Sequence, residues 1–428
     1  MSENGYVHQG TGRELQKRLL AEYFGRVNTA RERDEKVAYV FISGNIAEYL
    51  RSFGFHLVYP EVTSLQCGIK RMAGTFIGAA EDLGYSPDVC GYVKNDIGLA
   101  QTDGTSPLGK LPPPDVLLCN YAGCRTYIKW FEALAEHYGA PLVMLDVPYQ
   151  RHWGREAEDF APDDVAYVTD QLRELIPRLE AIADRSYDDE AHHRMLADSV
   201  VVEDVWSRIL QSARHRPAPL DAYFEAVFFM APLYILRGLP ECREFYEATW
   251  LEIQERIEHG IGPIEEERFR VVVEGPPPWP HFRAFWEMFK RWGAVSVASS
   301  YAKVGGIFDR GFRHDPERPL ESQAEYCLNC YTNLNLGLRT DLLQAYAEEY
   351  EADGIVIHSV KSCRSFSVGQ ADLREALRER MGLPTLFVES DLADPRYFQA
   401  AQLQNRIDAF FEGLKHQRLV VLNEPAPC

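Results

Sequence analysis

Over residues 35–160, short apolar runs alternate with stretches of helical length, and this alternation predicts the fold class. KVAYVFISGN at 36–45 reads as a strand running into a Ser-Gly-Asn turn, IAEYLRSFGF as a helix stopped by Gly54, and HLVYPEV at 56–62 as a second strand. GTFIGAAEDLGYSP makes a further helix, VLLCN at 116–120 a strand, CRTYIKWFEALAEHYG a helix and PLVMLDVPY a strand. Alternating β and α segments of this size indicate a parallel sheet covered by helices, with right-handed crossovers.

The period then changes. From residue 161 to 262 apolar positions recur at helical spacing through four long segments, and no strand pattern interrupts them. The β/α pattern resumes at FRVVVEGPPPWP, followed by HFRAFWEMFKRWG and AVSVASSY. A helical or irregular region covers 321–353, and GIVIHSV, QADLREALRERMG, PTLFVESD and a closing helix complete the series. RLVVLN at 418–423 reads as an edge strand or a partner contact. The expected fold is α/β, with two flavodoxin- or Rossmann-like parallel-sheet domains joined by a helical region. The predicted limits are 1–34 for an N-terminal helical arm, 35–160 for the first α/β domain, 161–262 for the helical connector and 263–428 for the second α/β domain.

Composition narrows the class of function. In 428 residues the hydrophobic fraction is 46% and the charged fraction 25%, as in ordinary soluble globular proteins. The formal net charge of −19 argues against a nucleic-acid or anionic-membrane surface, both of which require a basic face. No basic start with an apolar run opens the sequence, and no stretch reaches the roughly 18 apolar residues of a membrane span. A cytoplasmic, reducing location is therefore expected, with thiols free.

Nine cysteines then carry the chemical question. Their spacing does not fit zinc, because the single CxxC, Cys327 and Cys330, has no second pair and no paired histidines. Cys119 lies within a continuously apolar strand and reads as core. Cys67, Cys242 and Cys428 have no partner pattern. Cys124 follows the strand VLLCN and Cys363 follows GIVIHSV, at the carboxyl ends of strands where ligands collect in open parallel sheets. Cys90 sits in a predicted loop among Pro87, Gly91 and Gly98. A small buried residue is the plain alternative at each position. GxxxxGK[ST] and GxGxxG are both absent, which argues against a P-loop ATPase and against nicotinamide binding.

Three segments resemble the 2-hydroxyacyl-CoA dehydratase and benzoyl-CoA reductase family: SPDVCGYVKNDIG at 86–98, NYAGCRTYIKWFE at 120–132 and HSVKSCRSFSVG at 358–369. The tail VESDLADPRYFQAAQLQNRIDAFFE resembles the family's closing signature. The resemblance spans most of 36–415 with the motifs in order. It implies a [4Fe–4S] cluster on Cys90, Cys124 and Cys363, one iron lacking a cysteine ligand. Lys94, where dehydratases more often carry Arg, and GNIAEYL with only Glu48 aligned are more similar to the aryl-CoA reductase branch and its larger substrate-side subunit. What this implies is an ATP-dependent (methyl)benzoyl-CoA reductase subunit that passes low-potential electrons to the aromatic ring and yields a cyclic dienoyl-CoA. Its partners would be a related second substrate-side subunit and ATP-hydrolysing iron–sulfur activator subunits, with ferredoxin as upstream donor. The alternatives are a 2-hydroxyacyl-CoA dehydratase subunit, a non-catalytic cluster-bearing relay and a double-cubane reductase relative. Candidate proton donors by proximity to the cysteines are His358, Tyr121, Tyr127, Ser359 and Glu48. Lys361 and Arg364 flank Cys363 as candidates for CoA phosphates.

Overall fold

The computed structural model describes residues 11–150 and 161–423. Cys428 and the first ten residues of the predicted arm lie outside them.

Among the described residues ten strands form in chain order: β1 Val37–Tyr39, β2 His56–Val58, β3 Thr105–Ser106, β4 Gly109–Lys110, β5 Val116–Asn120, β6 Leu142–Leu145, β7 Phe269–Glu274, β8 Ala294–Ser299, β9 Gly354–Val360 and β10 Thr385–Ser390. β3 and β4 make a small antiparallel hairpin. The other eight form two four-stranded sheets, ordered β2-β1-β5-β6 and β10-β9-β7-β8, with every pairing parallel. The chain is α/β with two Rossmann-like parallel sheets flanked by helices.

Counted within its own sheet, each half has strand order 2-1-3-4. The repeated β/α grammar of the sequence is therefore also a repeated topology. In each sheet the order reverses beside the first strand, at β1/β5 in one and β7/β9 in the other. Such a switch point opens a crevice at the carboxyl ends of the strands.

Burial follows the same plan. β5, β7 and β9 are buried at every position, as expected of strands covered on both faces, whereas β6 and β10 at sheet edges alternate. β8 is also an edge strand yet fully buried, because Asp221 and Ala222 bond to both backbone groups of Ser296 and cover its free side.

The connecting region holds helices Pro162–Ala183, Asp189–Gln211, Ala226–Ile235 and Pro240–Glu258. The third is almost wholly apolar and buried rather than amphipathic. Helix Thr11–Asn28 packs on the fourth, where Arg18 meets Glu244 (3.1 Å) and Arg26 meets Glu241 (2.9 Å).

Three local expectations are corrected. HLVYPEV is a strand only to Val58, because Pro60 starts a helix, Pro60–Ile69, at the position where its missing N–H costs nothing. GYVKNDIG after Cys90 is not a loop but the body of helix Gly91–Ala100. RLVVLN is not an edge strand, since helix Ala400–Asn423 runs through it.

Candidate active site

Cys124 lies in the turn after β5 and Cys363 in the turn after β9, on the two inner strands that bound the switch points. Cys90 is the N-cap of helix Gly91–Ala100. All three line one cavity of about 80 Å³, with Ile42 and Ser43 from the turn after β1 and Pro276 from the turn after β7. The two crevices thus face one another, and the thiols stand between them. Tyr92, Tyr127, Trp130, Tyr301 and Phe366 give this space aromatic walls.

Close backbone contacts hold the three turns together. The Gly91 N–H donates to Ser362 Oγ (3.0 Å), and the Ser362 N–H donates to Asp391 Oδ2 (3.0 Å), which ties the Cys90 cap to the Cys363 turn. Ser365 Oγ donates to the Gly123 carbonyl (2.6 Å), tying the Cys363 turn to that of Cys124. Gly123 has a φ of +84°, and a Cβ there would lie 2.3 Å from the Thr332 carbonyl, so only glycine allows the approach.

The thiols feel one another. Burial pushes Cys90 up to about 12, with Cys124 adding to the shift, while the backbone amides of Val93 and Tyr92 oppose it. Burial raises Cys363 well above the usual thiol range, and both Cys90 and Cys124 push it further. Burial also raises Cys124, against hydrogen bonds from Thr126 and Ser365. These three cysteines keep partial exposure, whereas Cys67, Cys119, Cys242, Cys327 and Cys330 are fully buried. Cys327 and Cys330 donate to the carbonyls of Gly44 and Tyr326 and form part of the core.

One acidic group in the cavity was not among the sequence candidates. Glu61 is buried, accepting from the Ile42 N–H (2.7 Å) and the Tyr127 hydroxyl (2.5 Å). Burial raises its carboxyl, and these two bonds only partly offset the shift. No cation bonds to it among the described residues. The signal available in the sequence was Pro60 followed by an acid, a helix start, but the apolar run ahead of it suggested a strand.

Of the predicted proton donors, Tyr127 lines the cavity and His358, Tyr121 and Glu48 do not. His358 is buried within β9, with Nδ1 on the Pro276 carbonyl (2.5 Å) and Nε2 on Ser390 Oγ (2.6 Å). Because a carbonyl only accepts, Nδ1 carries the proton and Nε2 accepts from the serine. Tyr121 bonds to Asp146, which also receives the Tyr167 hydroxyl (2.9 Å). Glu48 pairs with Arg237 (2.6 Å) in a buried group with Ser199 and Gln323. Burial pushes that carboxyl up, but Arg237 and His314 outweigh it and hold it below the usual range. Ser359 is buried inside β9, while Lys361 and Arg364 are exposed beside the Cys363 turn.

Residues 47–414 match the family described as 2-hydroxyglutaryl-CoA dehydratase, D-component. The chain belongs to this family. It is 43% identical over 412 residues to a benzoyl-CoA reductase subunit of Thauera aromatica, covering 94% of each chain. It is 28% identical over 414 residues to the alpha subunit of lactoyl-CoA dehydratase of Anaerotignum propionicum, covering 92% of this chain and 96% of that one. The (R)-2-hydroxyisocaproyl-CoA dehydratase alpha subunit of Clostridioides difficile is 26% identical over 402 residues, covering 94% and 95%. These relatives are named as subunits, and the family places this chain among components of oxidoreductase- or dehydratase-type enzymes acting on acyl-CoA. Among the described residues no helix is long and apolar enough to cross a membrane.

Proposed function

We propose that this chain is the cluster-bearing, substrate-side subunit of an ATP-dependent (methyl)benzoyl-CoA reductase. The observation that carries the reading is the convergence of Cys90, Cys124 and Cys363 on one aromatic-walled cavity between two switch points. Identity of 43% to a benzoyl-CoA reductase subunit, against 28% or less to the dehydratase subunits, favours the reductase branch.

The donor set fits a [4Fe–4S] cluster. Three thiolates in an apolar space repel one another, and a cationic iron–sulfur core between them removes that penalty. Among the described residues no three His, Cys, Asp or Glu side chains group tightly enough for a single metal ion. A cubane needs no such group, because each thiolate takes a different iron. When bound, the cluster would supply low-potential electrons at the cavity wall. Cys90, Cys124 and Cys363 would hold it, one iron lacking a cysteine ligand from this chain.

The chain's own residues supply the rest. The aromatic walls exclude water and fit the face of a planar ring. Glu61, whose carboxyl burial raises, is the acidic group beside the cavity and the candidate proton donor, and Tyr127 donates to its Oε1. Partners on this reading are a related second subunit, an ATP-hydrolysing iron–sulfur activator and, upstream, ferredoxin, all in the cytoplasm.

Anaerobic purification tests the reading directly. About four iron and four sulfide per chain are expected. With the partner subunits and reductant, benzoyl-CoA should yield a cyclic dienoyl-CoA. An enoyl-CoA formed from a 2-hydroxyacyl-CoA instead would assign the chain to the dehydratase branch.

A further inference from the structure

A second cavity, of about 370 Å³, shares no lining residue with the cysteine cavity. Its volume lies within the range of about 300–1,000 Å³ usual for small-molecule sites. Helix Gly91–Ala100, which Cys90 caps, brings Asp96, Leu99 and Ala100 to it. Helix Thr126–Tyr138, which starts just after Cys124, brings His137 and Tyr138. Both helices thus meet the cavity with their carboxyl-terminal residues, where the backbone dipole favours positive charge.

Asp96 is the unmatched charge of this cavity. It is only 7% exposed, and its Oδ2 accepts from the Trp130 indole N–H (2.8 Å). Among the described residues its Oδ1 meets no donor and no cation pairs with it. Burial pushes the carboxyl up to about 7, and the Trp130 bond only partly offsets the shift. The other charged groups in the lining are accounted for. Exposed Lys110 acts on exposed Asp103, and His137 Nδ1 accepts from the Gln101 amide (3.4 Å), which leaves that ring neutral. The rings of Tyr39 and Tyr138 meet edge-on at 5.8 Å and line the same space. A buried carboxylate with a free oxygen, two negative helix ends and aromatic walls suit a cation with an apolar body. A bare metal ion fits poorly, because Asp96 belongs to no tight group of three metal-ligating side chains among the described residues.

We propose that this cavity is a binding site for a small organic ammonium ion, whose N–H donates to Asp96 Oδ1 and whose apolar body lies against Tyr39 and Tyr138. The site does not depend on the acyl-CoA reading above. It is nevertheless one side chain away from the cysteine cavity, because Trp130, held by the other Asp96 oxygen, is one of the aromatic walls there. A bound cation keeps Asp96 ionised, and an ionised acceptor holds the indole N–H more strongly than a protonated one. Occupancy therefore fixes that wall.

The probe is n-butylammonium, with 1-butanol as its uncharged counterpart. Calorimetry on the full chain, with any subunits that copurify, should show the ammonium binding at least about tenfold more tightly, as expected for one charge-assisted hydrogen bond. Asp96→Asn keeps an acceptor for Trp130 but removes the charge. It should weaken n-butylammonium about tenfold or more and leave 1-butanol within about twofold. Lys110→Glu, on the exposed hairpin, replaces a repelling charge by an attracting one without touching the core. It should tighten n-butylammonium about threefold, the scale of a solvent-exposed charge. Unaltered ammonium affinity in either variant overturns the site, as does 1-butanol binding as tightly as the ammonium.

Discussion

Tyr127 donates its phenolic proton to Glu61 across 2.5 Å, and both side chains line the cavity that holds Cys90, Cys124 and Cys363. The pair joins the turn after β1 to the helix after β5, since the other Glu61 oxygen accepts from the Ile42 N–H. Glu61→Gln keeps the shape and one acceptor but cannot deliver a proton. Turnover should fall by about 10²–10⁴, the span typical of a general acid, with iron content unchanged. Because burial raises the Glu61 carboxyl, its protonated form persists to higher pH in the folded chain than in a free carboxyl group. The rate should therefore decline as pH rises through its folded pKa, and that limb should vanish in the variant. An unaltered pH–rate profile in Glu61→Gln would remove Glu61 from the chemistry.

Cysteine substitution separates site from core. Cys90→Ala, Cys124→Ala and Cys363→Ala should each deplete iron and sulfide in anaerobically purified protein. Cys327→Ala and Cys330→Ala should keep both and cost only about 1 kcal/mol, the price of a small buried void. Metal analysis beside denaturant unfolding distinguishes the two groups. Iron loss confined to the CxxC variants would contradict the assignment.

Much of this arrangement was legible in the order of residues alone. Continuous apolar runs such as VLLCN and GIVIHSV declared buried parallel strands, and the cysteines just past them fell at the loop ends where such sheets bind ligands. Glu61 was hidden because HLVYPEV carries the apolar pattern of a strand, while the decisive residue, Pro60, acts by starting a helix. His358 misled in the opposite direction. It stands five residues before Cys363, but its side chain turns to Ser390 and Pro276, and no local pattern reports which face a strand histidine takes. The identical strand order of the two halves was invisible, because topology depends on pairing between distant segments.

Gly123 makes a sharp steric prediction. Alanine at this left-handed position would place its Cβ 2.3 Å from the Thr332 backbone, which cannot yield without moving the second half of the molecule. Backbone strain and overpacking together should cost about 2–4 kcal/mol. Since Cys124 is the next residue, cluster retention should fall along with stability. Thermal unfolding and iron content of Gly123→Ala test both, and a variant of native stability would show that the contact is not tight.

His358 gives a pH signature of its own. Burial depresses its pKa to about 4, so the folded chain holds it neutral while the unfolded chain protonates it near 6.5. Between those values the unfolded state binds more protons, and stability must fall as pH falls from about 6.5 to about 4. The loss is bounded at about 3 kcal/mol. Other buried groups add their own slopes, so the test is a difference. His358→Gln should flatten the stability curve across this window relative to the unaltered chain, and equal slopes would deny the histidine this role.

Lys94 supplies the last prediction, because it ties the loop before Cys90 to the rest of the site. It sits on the helix that Cys90 caps, fully buried, and its ammonium donates to Glu81 Oε1 (2.8 Å) and the Pro87 carbonyl (2.8 Å), with Asp394 Oδ2 at 3.9 Å. Arg396 first and Lys94 second hold Glu81 at about 2, so that carboxylate is charged at any working pH. Lys94→Met preserves the volume of the stem but leaves the carbonyl without its donor and the carboxylates with one cation fewer. Breaking one side of a buried pair costs about 3–5 kcal/mol, and Arg396 remaining on Glu81 and Asp394 places the loss toward the lower end. The sharper readout is local. With Pro87 released, the Cys90 cap should loosen and iron should leave faster on exposure to a chelator, while Lys94→Arg, which restores a cation, should slow that loss again. Equal chelation rates in Lys94→Met and the unaltered chain would confine Lys94 to fold stability.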